Sequence, residues 1–255
     1  MELLAEGRMA QVFALDDDRV LKLDRPEWSG VSDFEFDVIN RVAAAGIPVA
    51  RAHGLMTVDG RRGVILDRVH GDSLQAGLGN VPEGRIDQLA AKFAHLQWDI
   101  NRRTVKGLPD LVTRLGAEIA QSGLAQDRVV ELTDLLGALD DGQRGICHFD
   151  FHPDNVMVGA RDWIVIDWLT AASGPGLADL ARTLVLRGHA VDAALSHFML
   201  RLMAHGLFQR GGTDIDVLDG WIRIVAGARL AEGFEGDHAE WLRQVAAEGV
   251  NRLFA

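Results

Sequence analysis

The stretch Ile146–Trp168, ICHFDFHPDNVMVGARDWIVIDW, decides how the rest of the chain is read. Within it His148, Asp150, His152, Asp154, Asn155, Asp162 and Asp167 are interleaved with two short apolar runs, Val156–Val158 and Trp163–Ile166. The runs are too short for helices and β-branched enough for strands. They predict a loop, a strand, a turn at Gly159–Asp162, a second strand, and Asp167 where that strand ends. Such a hairpin would hold Asp150, Asn155 and Asp167 on one rigid frame.

Working outward, the 255 residues are enough to bury a core as one large domain or two lobes. A formal net charge of −11 argues against a duplex nucleic-acid binder, which needs a basic surface to neutralise phosphates. The segment MELLAEGRMA has no basic region followed by an apolar one, and no apolar run approaches membrane-spanning length. Neither a signal peptide nor a membrane span is expected. A lone Cys147 fits a reducing cytoplasm, where we expect a monomer or homodimer.

The first 70 residues read as β-β-β-α-β-β. Leu3–Ala5, Gln11–Leu15 and Arg19–Leu23 are strand-like, with Gly7 in the first turn and Asp16–Asp18 in the second. Phe34, Val38, Val42 and Ala45 mark a helix over Ser32–Ala45, ended by Gly46 and Pro48. Ala50–Met56 and Gly63–Leu66 follow as strands around Asp59-Gly60. The character changes at 67–71, the expected linker. Helices are then predicted over Pro82–Arg102, Leu111–Gln121, Asp127–Leu139, Leu177–Arg187, Ala190–Gly206, Ile215–Glu232 and His238–Phe254.

The spacing His148-x-Asp150-x-x-x-x-Asn155 resembles the catalytic loop of the protein-kinase superfamily. There the Asp accepts or orients the proton of the attacking hydroxyl and the Asn holds magnesium. Asp167, twelve residues on, supplies a second carboxylate for a metal bridging the β- and γ-phosphates. Alone, each would read as a turn residue or a strand-end cap; three in register read as chemistry. Lys22 sits in the apolar run Val20–Leu23 and is the only lysine in the first 91 residues of an arginine-rich chain. A buried ammonium needs an anion, and Glu35 on the following helix is the candidate. Ser32-x-x-Glu35 also fits a helix capping box. No G-x-x-x-x-G-K-[ST] is present, which excludes a Walker-type phosphate cradle.

Together these residues resemble the aminoglycoside phosphotransferase and choline kinase family within the protein-kinase-like superfamily. The matching pieces are Glu6-Gly7-Arg8, Val20–Leu23, Glu35, Ala45–Val49, Cys147–Val156, Ile166-Asp167-Trp168, Gly174-Pro175 and Asp179–Arg182. The resemblance implies an α+β, bilobal fold: a β-rich nucleotide-binding N-lobe over 1–66, a hinge at 67–71 and a mostly helical C-lobe over 72–255. It implies a cytoplasmic small-molecule kinase using ATP or GTP with Mg2+. Asp150 would be the base, Asn155 and Asp167 the metal ligands, and Lys22 with Glu35 the phosphate-positioning pair. Gly7 would lie in the loop over the nucleotide, and the backbone from Asp67 to Val69 would contact the purine. Asp179 would brace the catalytic loop, with His148 and His152 in support. Phe149 and Asp154 depart from the family pattern, which often has glycine at both places.

For the acceptor, the cluster Glu232, Glu235, Asp237 and Glu240 suggests an amine-bearing alcohol such as an aminoglycoside-like antibiotic or metabolite. Trp168, Trp221 and Trp241 are the candidates for a choline-type aromatic cage. Two other readings are kept: a nucleotide-binding module of this fold without transfer, and a metal-dependent hydrolase using His148, Asp150 and His152.

Overall fold

The computed structural model describes residues 1–79, 81–159, 162–188, 192–212 and 214–253. In chain order the elements begin with β1 (Leu3–Glu6), β2 (Ala10–Ala14), β3 (Arg19–Asp24), α1 (Val31–Ala44), β4 (Ala52–Val58), β5 (Arg61–Asp67) and α2 (Leu74–Leu78). Next come α3 (Glu83–Asn101), α4 (Leu111–Ala120), α5 (Gln126–Leu139), β6 (Gly145–Cys147), β7 (Val156–Val158), β8 (Trp163–Val165) and β9 (Ala172–Gly174). The chain closes with α6 (Gly176–Arg187), α7 (Ala193–Gln209), α8 (Ile215–Arg229), α9 (Gly236–Glu248) and α10 (Val250–Leu253). The class is α+β, as expected. Residues 1–76 and 153–170 make one compact unit, and 77–152 and 171–255 the other.

The first unit carries an antiparallel sheet in the order β1-β2-β3-β5-β4. Strand β3 is central because Val20, Leu21 and Leu23 are buried. In register, Lys22 lies between Val12 of β2 and Val64 of β5. Close approach of β5 depends on Gly63, where a Cβ would come 2.9 Å from both Leu21 Cδ1 and Lys22 O. Helix α1 packs Val38, Ile39 and Val42 inward and ends at Gly46, whose φ of +77° suits a residue without Cβ. Its N-terminus departs from the capping box. Gly30 is the N-cap, and Asp24 of β3 accepts from Gly30 N (3.0 Å), Ser32 N (3.3 Å) and Ser32 Oγ (2.5 Å). With Ser32 claimed by Asp24, Glu35 serves elsewhere.

The β7–β8 hairpin forms where expected, pairing Val156 with Val165 and Val158 with Trp163. It belongs to the sheet-bearing unit, whereas the sequence reading divides the chain at 67–71 and leaves the hairpin with the helices. Three-residue strands leave backbone groups needing partners. Val165 N donates to Pro48 O at 2.9 Å, and Met157 bridges Ser73. At Gly71, with φ of +139°, any Cβ would collide with Val158 O.

The second unit is helical, with α3 against α7 and α6 and α8 at its centre. Phe93, Phe151 and Phe198 are fully buried, with ring centroids 4.4 and 5.4 Å apart from Phe93 outward. Strands β6 and β9 pair antiparallel; three residues each, they carry too little pattern to be read from sequence. The helix expected over Ala190–Gly206 is α7, shifted to Ala193–Gln209, and its expected first residues 190–191 lie outside the described residues. The last expected helix is broken at Gly249 (φ +61°) into α9 and α10, and its expected end, Phe254, lies outside the described residues.

Candidate active site

In the sheet-bearing unit, Lys22 Nζ donates to Glu35 Oε1 at 2.7 Å and to Asp167 Oδ1 at 3.0 Å. The sheet supplies Lys22, α1 supplies Glu35 one turn after the Asp24 brace, and the end of the hairpin supplies Asp167. Glu35 is 1% exposed and the Asp167 side chain 38%. Burial alone pushes the Lys22 ammonium down, but Glu35 and then Asp167 overcome it and hold it above its ordinary value. Burial pushes the Glu35 carboxyl up, opposed by Lys22 and reinforced by Asp167. One ammonium facing two carboxylates leaves the cluster a cation short.

Asn155 lies beside Asp167 through the backbone, since Ile166 N donates to Asn155 O at 3.0 Å. Asp167 takes φ of +63°, the left-handed region that a short polar side chain tolerates best. An amide oxygen and a half-exposed carboxylate are a hard donor pair. That suits magnesium, which keeps waters and substrate oxygens in its remaining positions.

Asp67 and Val69 line a cavity of about 460 Å³ with Val49, Ala50, Asp162 and Ile164. The Asp67 carboxylate is engaged by His53 Nε2 (2.6 Å) and Arg51 N (3.0 Å), so it shapes the segment rather than offering a free charge. Gly7 forms the β1–β2 turn, donating to Ala10 O at 2.9 Å and accepting from Arg25 Nε at 3.0 Å. A Cβ at Gly7 would make only ordinary contact, so the turn does not demand glycine there.

Asp150 belongs to the helical unit, so the single rigid frame expected for it with Asn155 and Asp167 is divided between the two units. Its amide donates to His148 Nδ1 at 3.2 Å, and its carboxylate lies 3.6 Å from His152 Nε2. Burial alone would push the Asp150 carboxyl up; His152, His148 and Arg182 outweigh it and hold it well below the usual range. His152 Nδ1 accepts from Arg187 at 2.9 Å, and His148 is fully buried against Phe151. These histidines therefore do not converge with Asp150 as a ligand set. Among the described residues no group of three His, Cys, Asp or Glu is arranged to hold a metal ion, which removes the basis of the hydrolase reading.

The loop before Asp150 is braced by Asp179, as the resemblance implies, together with Gln97, Asn101 and Arg114, which the sequence did not single out. Phe149, at φ of +62°, is a large side chain in the left-handed region. Its N–H donates to Asp179 Oδ1 at 2.7 Å, its carbonyl accepts from Arg182 Nε at 3.2 Å, and the Arg114 and Arg182 guanidiniums lie 4.6 and 5.1 Å from its ring centroid. Asp179, fully buried, also accepts from Asn101 Nδ2 at 2.8 Å and Gln97 Nε2 at 3.3 Å. No local pattern marks Asn101 or Gln97, because they meet Asp179 only once α3 and α6 pack.

The acceptor expectations change. Glu232 accepts from Arg182 at 2.6 Å and Arg229 at 3.4 Å, so it neutralises buried arginines instead of awaiting an amine. Glu240 pairs with Arg243 within α9. Trp168, Trp221 and Trp241 are 0, 1 and 5% exposed, which leaves none for a choline-type cage.

A family model described as the phosphotransferase enzyme family (APH) matches residues 1–220. A thermostable mutant of aminoglycoside phosphotransferase APH(4)-Ia is similar at a TM-score of 0.68 and 19% identity, covering 99% of this chain and 93% of that one. The amicoumacin kinase hAmiN is similar at 0.64 and 14%, covering 97% and 86%. Choline kinase from Cryptosporidium parvum Iowa II is similar at 0.62 and 12%, covering 98% and 88%. These likenesses show a protein-kinase-like fold. A search of curated proteins finds no match.

Proposed function

Since the chain belongs to the phosphotransferase enzyme family, we propose that it moves the γ-phosphate of ATP or GTP, with Mg2+, to a hydroxyl of a small molecule. The observation that carries this is the cluster of Lys22, Glu35 and Asp167 at 2.7 and 3.0 Å. One cation short, it suits a divalent ion, which Asp167 and Asn155 would hold and which would supply charge neutralisation at the phosphates, with Lys22 positioned by Glu35 to reach phosphate oxygens. The similar kinase hAmiN is in complex with AMP-PNP and Ca2+, which supports nucleotide and divalent-metal use here.

Asp150 is the proposed base. Held ionised, it orients the acceptor hydroxyl and receives its proton late, as bond formation to phosphorus acidifies the oxygen. The cavity at Asp67 and Val69 is the proposed purine site, with 67–71 as the hinge between functional lobes and Gly7 in the covering loop. The acceptor is a hydroxylated small molecule, an aminoglycoside-like antibiotic or a metabolite. No helix among the described residues is long and apolar enough to cross a membrane; a cytoplasmic site of action is part of the proposal.

The test is nucleotide turnover against a panel of hydroxylated acceptors, read by mass spectrometry as the gain of one phosphate. Asp150→Asn and Asp167→Ala serve as controls. Equal turnover in wild type and both variants refutes the assignment. Nucleotide binding with no phosphorylated product from any acceptor favours the silent binding module.

A further inference from the structure

The helical unit contains a cavity of about 590 Å³ that uses none of the proposed catalytic residues. Trp98 of α3, Leu139 of α5, and Val217 and Trp221 of α8 form its apolar side, and Arg102 and Arg210 stand at its polar side. Its volume is that of a small-molecule site, and the part-exposed Trp98 indole beside aliphatic side chains suits a flat ring, with the buried Trp221 behind them. The Arg102 guanidinium lies 5.1 Å from the Trp98 ring centroid and is oriented by Asp99 at 2.5 Å. Arg210 donates to Gly206 O at 3.0 Å, to Gly176 O at 3.2 Å and to Asn101 Oδ1. Asp141 is the carboxylate on the lining. Guanidinium donors beside an indole match a carboxylate attached to a ring.

Arg210 also begins a chain of buried hydrogen bonds. Asn101 accepts from it and donates to Asp179 at 2.8 Å; Asp179 accepts from Phe149 N at 2.7 Å; Asp150 is the next residue. Asn101 is 8% exposed and Asp179 fully buried, so neither can replace a lost partner with bulk water without moving.

We propose that this cavity binds a small aromatic carboxylate and that its occupancy is transmitted through Arg210, Asn101 and Asp179 to the loop carrying Asp150. A carboxylate that draws Arg210 toward the cavity weakens its bond to Asn101. The amide then re-pairs, and the Phe149 N–H is held less firmly. Burial pushes Arg210 down to about 10, in keeping with a guanidinium that gains from an added anion.

The test uses the full chain and 2-naphthoate. Calorimetry should show saturable binding, with at least about tenfold loss in Ala138→Trp, which fills the cavity from the exposed face of α5, and in Arg102→Gln. The uncharged 2-naphthalenemethanol should bind more weakly than 2-naphthoate. Amide hydrogen exchange at Phe149 should quicken on saturation in wild type, and this response should be absent from Ala138→Trp. Absence of saturable binding, or equal binding by the Ala138→Trp variant, overturns the site. Binding without any change in Phe149 exchange overturns the transmission. Neither readout depends on phosphoryl transfer, so failure of the kinase reading is recognised separately.

Discussion

Replacing Lys22 by methionine isolates the charge balance of the nucleotide-side cluster. The variant keeps the length of the side chain in β3 but leaves Glu35, 1% exposed, without its cation, beside Asp167. A buried carboxylate without a partner takes up a proton, so the cost at a given pH is bounded by the work of keeping Glu35 neutral. With an unfolded-state pKa of about 4.3 and about 1.36 kcal/mol per pH unit, that ceiling is about 3.7 kcal/mol at pH 7 and about 1 kcal/mol at pH 5. The sign follows from proton uptake. The variant's native state holds a proton that the unfolded chain gives up above about pH 4.3, so stability falls as pH rises. Urea denaturation of wild type and variant at both pH values measures the difference. We expect a gap of at most about 3.7 kcal/mol at pH 7 that shrinks to at most about 1 kcal/mol at pH 5, and lies below both because burial already raises the Glu35 carboxyl in the wild type. Adding Glu35→Gln to the variant should remove the pH dependence. A gap independent of pH, or none at pH 7, would refute the reasoning.

Asp150→Asn should lower kcat by about 10²–10⁴-fold and also lower the melting transition, because it removes the charge that His152, His148 and Arg182 favour, measured by single-turnover kinetics and scanning calorimetry. Because its neighbours hold Asp150 below the usual carboxylate range, its stabilising effect is complete above about pH 4 and is lost only as pH falls further. An acid limb in kcat near neutral pH therefore belongs to another group and should survive in Asp150→Glu. Phe149→Gly relieves about 1–2 kcal/mol of left-handed strain but removes a buried ring worth about 3–5 kcal/mol, so a net loss of about 1–4 kcal/mol is expected in urea unfolding. Asp167→Ala should abolish the dependence of nucleotide affinity on magnesium concentration, followed by titration calorimetry.

The sequence was most legible where function imposes residue types at short spacing. His148, Asp150, Asn155 and Asp167 fall within one stretch, and Lys22 is conspicuous as a lysine inside an apolar strand. Helix periodicity and turn residues placed most long elements within a few positions, because a 3.6-residue stripe over ten or more residues is a strong local signal. The three-residue strands β6 and β9 carry no such signal; their pairing exists only because distant segments meet.

What the sequence determined by itself was the chemistry on offer: which side chains can hold a metal, position a phosphate or take a proton. Tertiary structure decided which of them are available. It turned Ser32 toward Asp24 and so gave Glu35 to Lys22. It spent Glu232 on Arg182 and buried the three tryptophans proposed for a cage. Burial and pairing are properties of neighbours far away along the chain, and a charge or a ring becomes a site only when packing leaves it something still to bind.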